Sequence, residues 1–152
     1  MIQNTFSPLF ESYRLNNGVE VKNRLVVAPM THYSSHPDGT LSDEERRFLH
    51  NRAENIGLFI TAATLVAEGG GQPEAIYTNQ LGSLKETAKL IQSQGAKAIL
   101  QIHHGGHQAI PDLLNGKDLV TASDETQTGA RALTGEEVEA LVQSFAHAAD
   151  LA

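Results

Sequence analysis

Three nearly continuous apolar runs punctuate the chain. They are Leu25-Val26-Val27-Ala28, stopped by Pro29; Leu58-Phe59-Ile60-Thr61-Ala62-Ala63; and Ala98-Ile99-Leu100-Gln101-Ile102. None alternates apolar with polar, the pattern expected of strands covered on both faces. A segment of helical periodicity follows each run. Phe48, Leu49 and Ile56 fall on one side of the first, Leu84, Ala88 and Ile91 on one side of the second. Val138, Leu141, Val142, Phe145, Ala148, Ala149 and Ala152 do so on the third.

The helix starts carry capping-box sequences: Ser42-Asp43-Glu44-Glu45, Ser83-Leu84-Lys85-Glu86 and Thr134-Gly135-Glu136-Glu137. In each, the hydroxyl accepts from the amide three residues on, and the Glu reaches back to the cap amide. Gly57 and Gly95 stand where a left-handed residue ends the first two helices. Upstream, Tyr13-Arg14-Leu15 and Val19-Glu20-Val21 flank Asn16-Asn17-Gly18, which predicts a β-hairpin. Residues 105–133 read as one long loop rich in Gly, Pro, Thr and Ser, and Gly69-Gly70-Gly71 as a flexible loop.

Strand alternating with helix implies a parallel sheet with right-handed crossovers. The fold class expected is α/β: a partial (β/α)8 barrel, with an N-terminal hairpin followed by about three βα units. A complete barrel needs about 250 residues, and this chain has 152. Three parallel strands alone also leave two unpaired edges. The expectation is therefore one N-terminal fragment of a barrel domain, residues 1–152, or a homo-oligomer formed through open sheet edges.

Composition narrows the class. Net charge is −7 without any basic run, which disfavours a nucleic-acid or anionic-membrane surface. The absence of cysteine excludes a disulfide framework, a thiolate metal site and a cysteine nucleophile. No apolar stretch approaches the roughly 18 residues of a membrane span, and residues 1–10 lack the features of a signal peptide. A cytoplasmic location is expected.

In parallel α/β folds, ligands gather at the carboxyl ends of the strands. Residues 28–35, 62–64 and 101–107 stand there. His103, His104 and His107 invite a metal reading. Gly105 and Gly106 break the helical spacing, however, and no carboxylate or cysteine accompanies them. Histidines hydrogen-bonded in a barrel mouth are the favoured alternative, and no metal is assigned. Gln101, polar within an apolar strand, is either satisfied by its neighbours or presented to a heterocycle edge, since an amide both donates and accepts. Thr31 and Tyr33 are either loop packing or ligand contacts. No P-loop, dinucleotide fingerprint or nucleophile elbow is present.

At the segment running from Leu9-Phe10 to Val21-Lys22-Asn23-Arg24-Leu25-Val26-Val27-Ala28-Pro29-Met30, the chain resembles the Old Yellow Enzyme family of FMN-dependent oxidoreductases. Tyr33-Ser34-Ser35, Asp38-Gly39, Gly57-Leu58-Phe59-Ile60 and Gly95-Ala96-Lys97 leading to Gln101-Ile102-His103-His104-Gly105-Gly106 continue the resemblance over nearly the whole chain. It implies FMN as cofactor and NADH or NADPH as reductant, with hydride passing through the flavin to an activated alkene, a quinone or oxygen. It also implies that Ala28, Pro29, Met30 and Thr31 line the flavin ring, with Thr31 near the C4 carbonyl. Ala63 would approach the ring closely, Gln101 would bond its pyrimidine edge, and Tyr33 would act as the catalytic donor to a small-molecule substrate. His107-Gln108 departs from the basic residue common after the family's Q-x-x-H-x-G motif. The family's substrate-anchoring His pair and phosphate loops belong to later strands. The fragment is therefore expected to bind FMN poorly and to be inactive alone.

Overall fold

The computed structural model describes residues 5–66, 80–114, 116–124 and 127–152. The Gly69-Gly70-Gly71 loop lies outside them. Seven strands and three α-helices are described: β1 (Tyr13–Arg14), β2 (Glu20–Val21), β3 (Val26–Val27), α1 (Asp43–Leu49), β4 (Leu58–Leu65), α2 (Leu81–Ser93), β5 (Lys97–His103), β6 (Val120–Thr121), β7 (Arg131–Ala132) and α3 (Gly135–Leu151). They fall into two compact units. One comprises Met1–Ser34, Leu41–Ala62 and Gly82–Gln101; the other comprises Ser35–Thr40, Ala63–Leu81 and Ile102–Ala152.

In the first unit the hairpin forms as expected. β1 and β2 pair antiparallel, Tyr13 opposite Val21 and Arg14 opposite Glu20. Gly18 takes the left-handed conformation (φ 86) that the Asn-Gly turn requires. β3, β4 and β5 lie side by side in that order, with β3 and β4 parallel and Val26 opposite Leu58. The core is Leu41, Leu49, Ala53, Phe59, Ile91 and Ala96, with Val27, Phe48, Leu90 and Ala98 packed around it. Alternate strand residues and the inner faces of α1 and α2 thus meet, and removing such apolar surface from water is the main stabilising term.

Polar staples join the two helices of this unit. Arg46 makes a forked contact with Glu86, at 2.7 and 3.1 Å. The Gln94 amide donates to Leu49 O and Leu90 O while accepting from Ala53 N–H at 3.0 Å. That last bond explains a difference from the sequence reading. The first helix ends at Leu49 and does not reach Ile56. The chain beyond it bonds to the end of α2, and Asn51 and Asn55 turn it through left-handed conformations (φ 63 and 57).

Two capping expectations also change. Ser42 caps α1, accepting from Glu45 N–H at 3.0 Å. Ser83 caps nothing: α2 starts two residues earlier, at Leu81, and the Ser83 hydroxyl accepts instead from Leu41 N–H at 3.1 Å. Gly95 does end α2 with φ 86, but Gly57 has no left-handed φ and ends no helix. Its lack of a side chain serves a close approach to Asn23.

In the second unit, the stretch expected to be one long loop holds a short parallel pair, β6 with β7, Val120 opposite Arg131 and Thr121 opposite Ala132. Arg131 anchors it. Its guanidinium reaches Asp118 at 2.7 Å and both oxygens of Glu137, at 2.8 and 2.7 Å. α3 opens with a complete capping box between Thr134 and Glu137. Of its apolar stripe only Ala148 is buried, while Val138 and Val142 are exposed. Among the described residues no helix is long and apolar enough to cross a membrane.

Candidate functional site

Pro29 has no N–H to continue a ladder, so β3 ends at Val27 and the chain leaves the sheet through Ala28, Pro29 and Met30, all exposed. Thr31 follows, half-buried. Tyr33 takes a left-handed conformation (φ 52), and its side chain projects into solvent, 61% exposed. On β5, the Gln101 backbone N–H donates to the Thr61 hydroxyl at 3.1 Å, and that hydroxyl in turn donates to Ala62 O at 3.0 Å. A β4 side chain thus holds the backbone of Gln101 in place.

Among the described residues, the Thr31 and Tyr33 hydroxyls and the Gln101 carboxamide have no hydrogen-bond partner. All three come from the carboxyl ends of β3 and β5 in the first unit. Such groups can donate to or accept from a bound polar ligand.

Between Thr31 and Tyr33 lies a group the sequence did not single out. The His32 ring sits with Nε2 3.3 Å from Glu45 Oε1 and Nδ1 3.0 Å from Ser34 Oγ. Its face tilts against Phe48, with centroids 5.1 Å apart. The Ser42 hydroxyl donates to Ser34 O at 2.6 Å, tying the same turn to the start of α1. Glu45 therefore does more than lend charge to a first helical turn.

In the second unit, Ala63 is buried on β4. His104 Nδ1 accepts from Gly106 N–H at 3.1 Å. Burial, then the neighbouring His103, push the His104 pKa below its ordinary value. Among the described residues no group of three or more His, Asp or Glu is placed to hold a metal ion. A cleft of about 350 Å³ is lined by His104, Lys117, Asp118, Val120, Arg131 and Glu137.

Parallel strands followed by helices place this chain in the α/β class. Over residues 8–152 the sequence matches the NADH:flavin oxidoreductase / NADH oxidase family, and the chain belongs to that family. It is 43% identical over 150 residues to a probable NADH-dependent flavin oxidoreductase, YqiG, of Bacillus subtilis, covering 94% of this chain and 40% of that protein. It is 36% identical over 146 residues to an NADH:fumarate oxidoreductase of Klebsiella pneumoniae, covering 90% of this chain and 16% of that protein. Among solved structures it matches an Old Yellow Enzyme from Pichia sp. AKU4542 with a TM-score of 0.83 and 28% identity, over 95% of this chain and 42% of the other. The fold is thus a partial (β/α)8 barrel, and the cofactor class of the family is FMN with NADH or NADPH as reductant. The chain spans 40% or less of the length of these two curated relatives.

Proposed function

We infer that this chain supplies the first part of the flavin and substrate site of an FMN-dependent NAD(P)H oxidoreductase. The observation that carries the reading is the trio of unpartnered polar groups at the ends of β3 and β5, on Thr31, Tyr33 and Gln101. Bound FMN would supply hydride transfer, taking hydride from NADH or NADPH and passing it to an electron-poor alkene, a quinone or oxygen.

The chain's own residues have separate tasks. Ala28, Pro29 and Met30 present backbone and apolar surface to the ring. The Thr31 hydroxyl donates near the C4 carbonyl, where it stabilises negative charge. The Gln101 carboxamide donates and accepts at the pyrimidine edge. Ala63, buried and small, is proposed as a further flavin neighbour that leaves room for the ring. Tyr33 donates to the substrate from above. Residues 1–152 are proposed to be inactive in turnover by themselves, because barrel phosphate sites draw on loops after strands seven and eight.

The test is to purify the natural gene product and record intact mass and absorbance on one sample. Bound flavin, together with flavin-dependent NADH or NADPH oxidation, supports the reading. A colourless product that stays inert when FMN and NADH or NADPH are added overturns it.

A second reading, a non-catalytic half-barrel that self-associates through open sheet edges, is favoured by the exposure of Val26 (50%) and Ile99 (40%) on the two outer strands. Light scattering at rising concentration decides it, and a monomer throughout excludes it.

A further inference from the structure

We propose that His32 is a positioning residue for Tyr33, itself locked in one tautomer and one orientation by Glu45 and Ser34. The proposal rests on the reading of Tyr33 as the substrate-facing donor.

Tyr33 has a left-handed φ of 52, a conformation that a β-carbon disfavours and that bulky side chains seldom take. With 61% of its surface exposed, its own packing does little to hold it there. Both neighbours, in contrast, are tied down. His32 is held on three sides: by the Glu45 carboxylate at 3.3 Å, by the Ser34 hydroxyl at 3.0 Å and by the Phe48 ring. The Ser34 hydroxyl oxygen also lies 3.3 Å from the His32 carbonyl, so its single proton faces that oxygen as well as Nδ1 across the Tyr33 turn. The Ser34 carbonyl accepts from Ser42, the cap of α1. Residues on either side of Tyr33 are thus fastened to the first turn of one helix, and the Tyr33 backbone has to bridge them.

The donor inventory fixes the tautomer. An ionised carboxylate only accepts, so the ring nitrogen facing Glu45 carries the proton. In the neutral ring Nδ1 is then the bare nitrogen and takes the Ser34 hydroxyl proton, the hydroxyl oxygen lying closer to Nδ1 than to the His32 carbonyl. A carboxylate orienting an imidazole from behind is a recurrent way of fixing a functional geometry. Here the imidazole serves the backbone of the residue beside it. A residue at position 32 without ring nitrogens would remove the bridge through the ring from the Glu45 side chain to the Ser34 hydroxyl and leave Tyr33 free to relax to an extended backbone.

The test needs neither flavin nor substrate. In the isotope-labelled 152-residue chain, Tyr33 should give the strong intraresidue amide-to-α-proton cross-peak that marks a positive φ, and Asn51 and Asn55 should give the same signal (φ 63 and 57). Ring nitrogen shifts should show His32 protonated at Nε2 and bare at Nδ1. In Glu45→Met, which removes both side-chain oxygens but keeps the backbone N–H used by the Ser42 cap, and in His32→Phe, which keeps a ring against Phe48, the Tyr33 signal should be lost while those of Asn51 and Asn55 remain. Retention of the Tyr33 signal in both variants overturns the proposal. So does loss of all three signals together in Glu45→Met, which would mean a general structural role. The reverse tautomer overturns the assignment of the lock. A flavin-free natural product would instead remove the functional reading while leaving this clamp intact.

Discussion

Gly57 backs directly onto Asn23. A β-carbon built on Gly57 overlaps the Asn23 carbonyl and comes within 2.9 Å of its side-chain oxygen. The obstacle is backbone, which cannot swing aside as a flexible side chain would. Gly57→Ala is expected to destabilise the protein by about 1–3 kcal/mol, the usual cost of overpacking. A lower urea midpoint with an unchanged slope checks it. An unchanged midpoint would mean that the two segments separate more easily than the structure indicates.

Asn23 itself is a structural hinge pin. Nearly fully buried, it donates from Nδ2 to Asn55 O at 2.6 Å and accepts from Leu25 N–H at 3.1 Å. Asn23→Leu removes both bonds and strands a carbonyl and an amide. Loss of about 1–3 kcal/mol for each group left buried without a partner is expected, read by chemical denaturation. Asn23→Asp keeps the acceptor and loses only the donor, so it should fall between the two.

The Arg131–Glu137 pair gives acid sensitivity a defined window. The Arg131 guanidinium, with the Thr134 backbone amide second, lowers the Glu137 pKa from 4.5 to about 2. A carboxyl lowered on folding stabilises the fold above its unfolded value and loses that contribution as pH falls through the folded value. Stability from Glu137 should therefore be complete above about pH 4.5 and decline toward pH 2. Glu137→Gln should flatten the stability profile over that interval. Thermal melts across the acid range read it, and parallel curves for the two proteins would count against the pair.

His104 should titrate below its ordinary value of 6.5, because burial and then the charge of His103 disfavour the imidazolium. The sign is the same as for a depressed carboxyl: stability is present above the unfolded value and lost as pH falls through the folded one. Protonation at Nδ1 would also break the bond from Gly106 N–H. His103→Gln should move the His104 titration upward, and ring-proton shifts against pH would record it. An unmoved midpoint would leave burial as the sole cause.

For the flavin site, Gln101→Leu and Thr31→Val in the natural gene product should each weaken FMN retention about fivefold or more. A hydrogen bond lost to a buried polar ligand edge costs about 1–3 kcal/mol. Retained flavin after dilution and gel filtration measures it. Full retention by both variants would remove Thr31 and Gln101 from the site.

Much of this was legible in the chain. Apolar runs gave the order and position of β3, β4 and β5, because short continuous apolar runs bounded by turn residues read as strands, although Val26 and Ile99 on the outer strands are exposed rather than covered on both faces. Asn17-Gly18 marked its hairpin, and Thr134 with Glu137 its capping box, because both devices close over a few residues. Thr31 and Tyr33 were singled out as hydroxyls following a strand and Gln101 as a polar residue within one, and their roles came from the resemblance alone.

What escaped the sequence depends on groups far apart in it. Ser83 looked like a cap until Leu41, forty-two residues earlier, supplied a donor for its hydroxyl. Gly57 looked like a helix stop, but its reason for being glycine is a carbonyl at Asn23. The β6–β7 pair could not be read from two-residue strands, since Arg131 and its carboxylates hold it together. Local devices are set by backbone conformation and by side chains within one turn, which sequence specifies directly. The partner of His32, the clash behind Gly57 and the pairing of Arg131 exist only once packing has brought distant segments to hydrogen-bond or van der Waals distance.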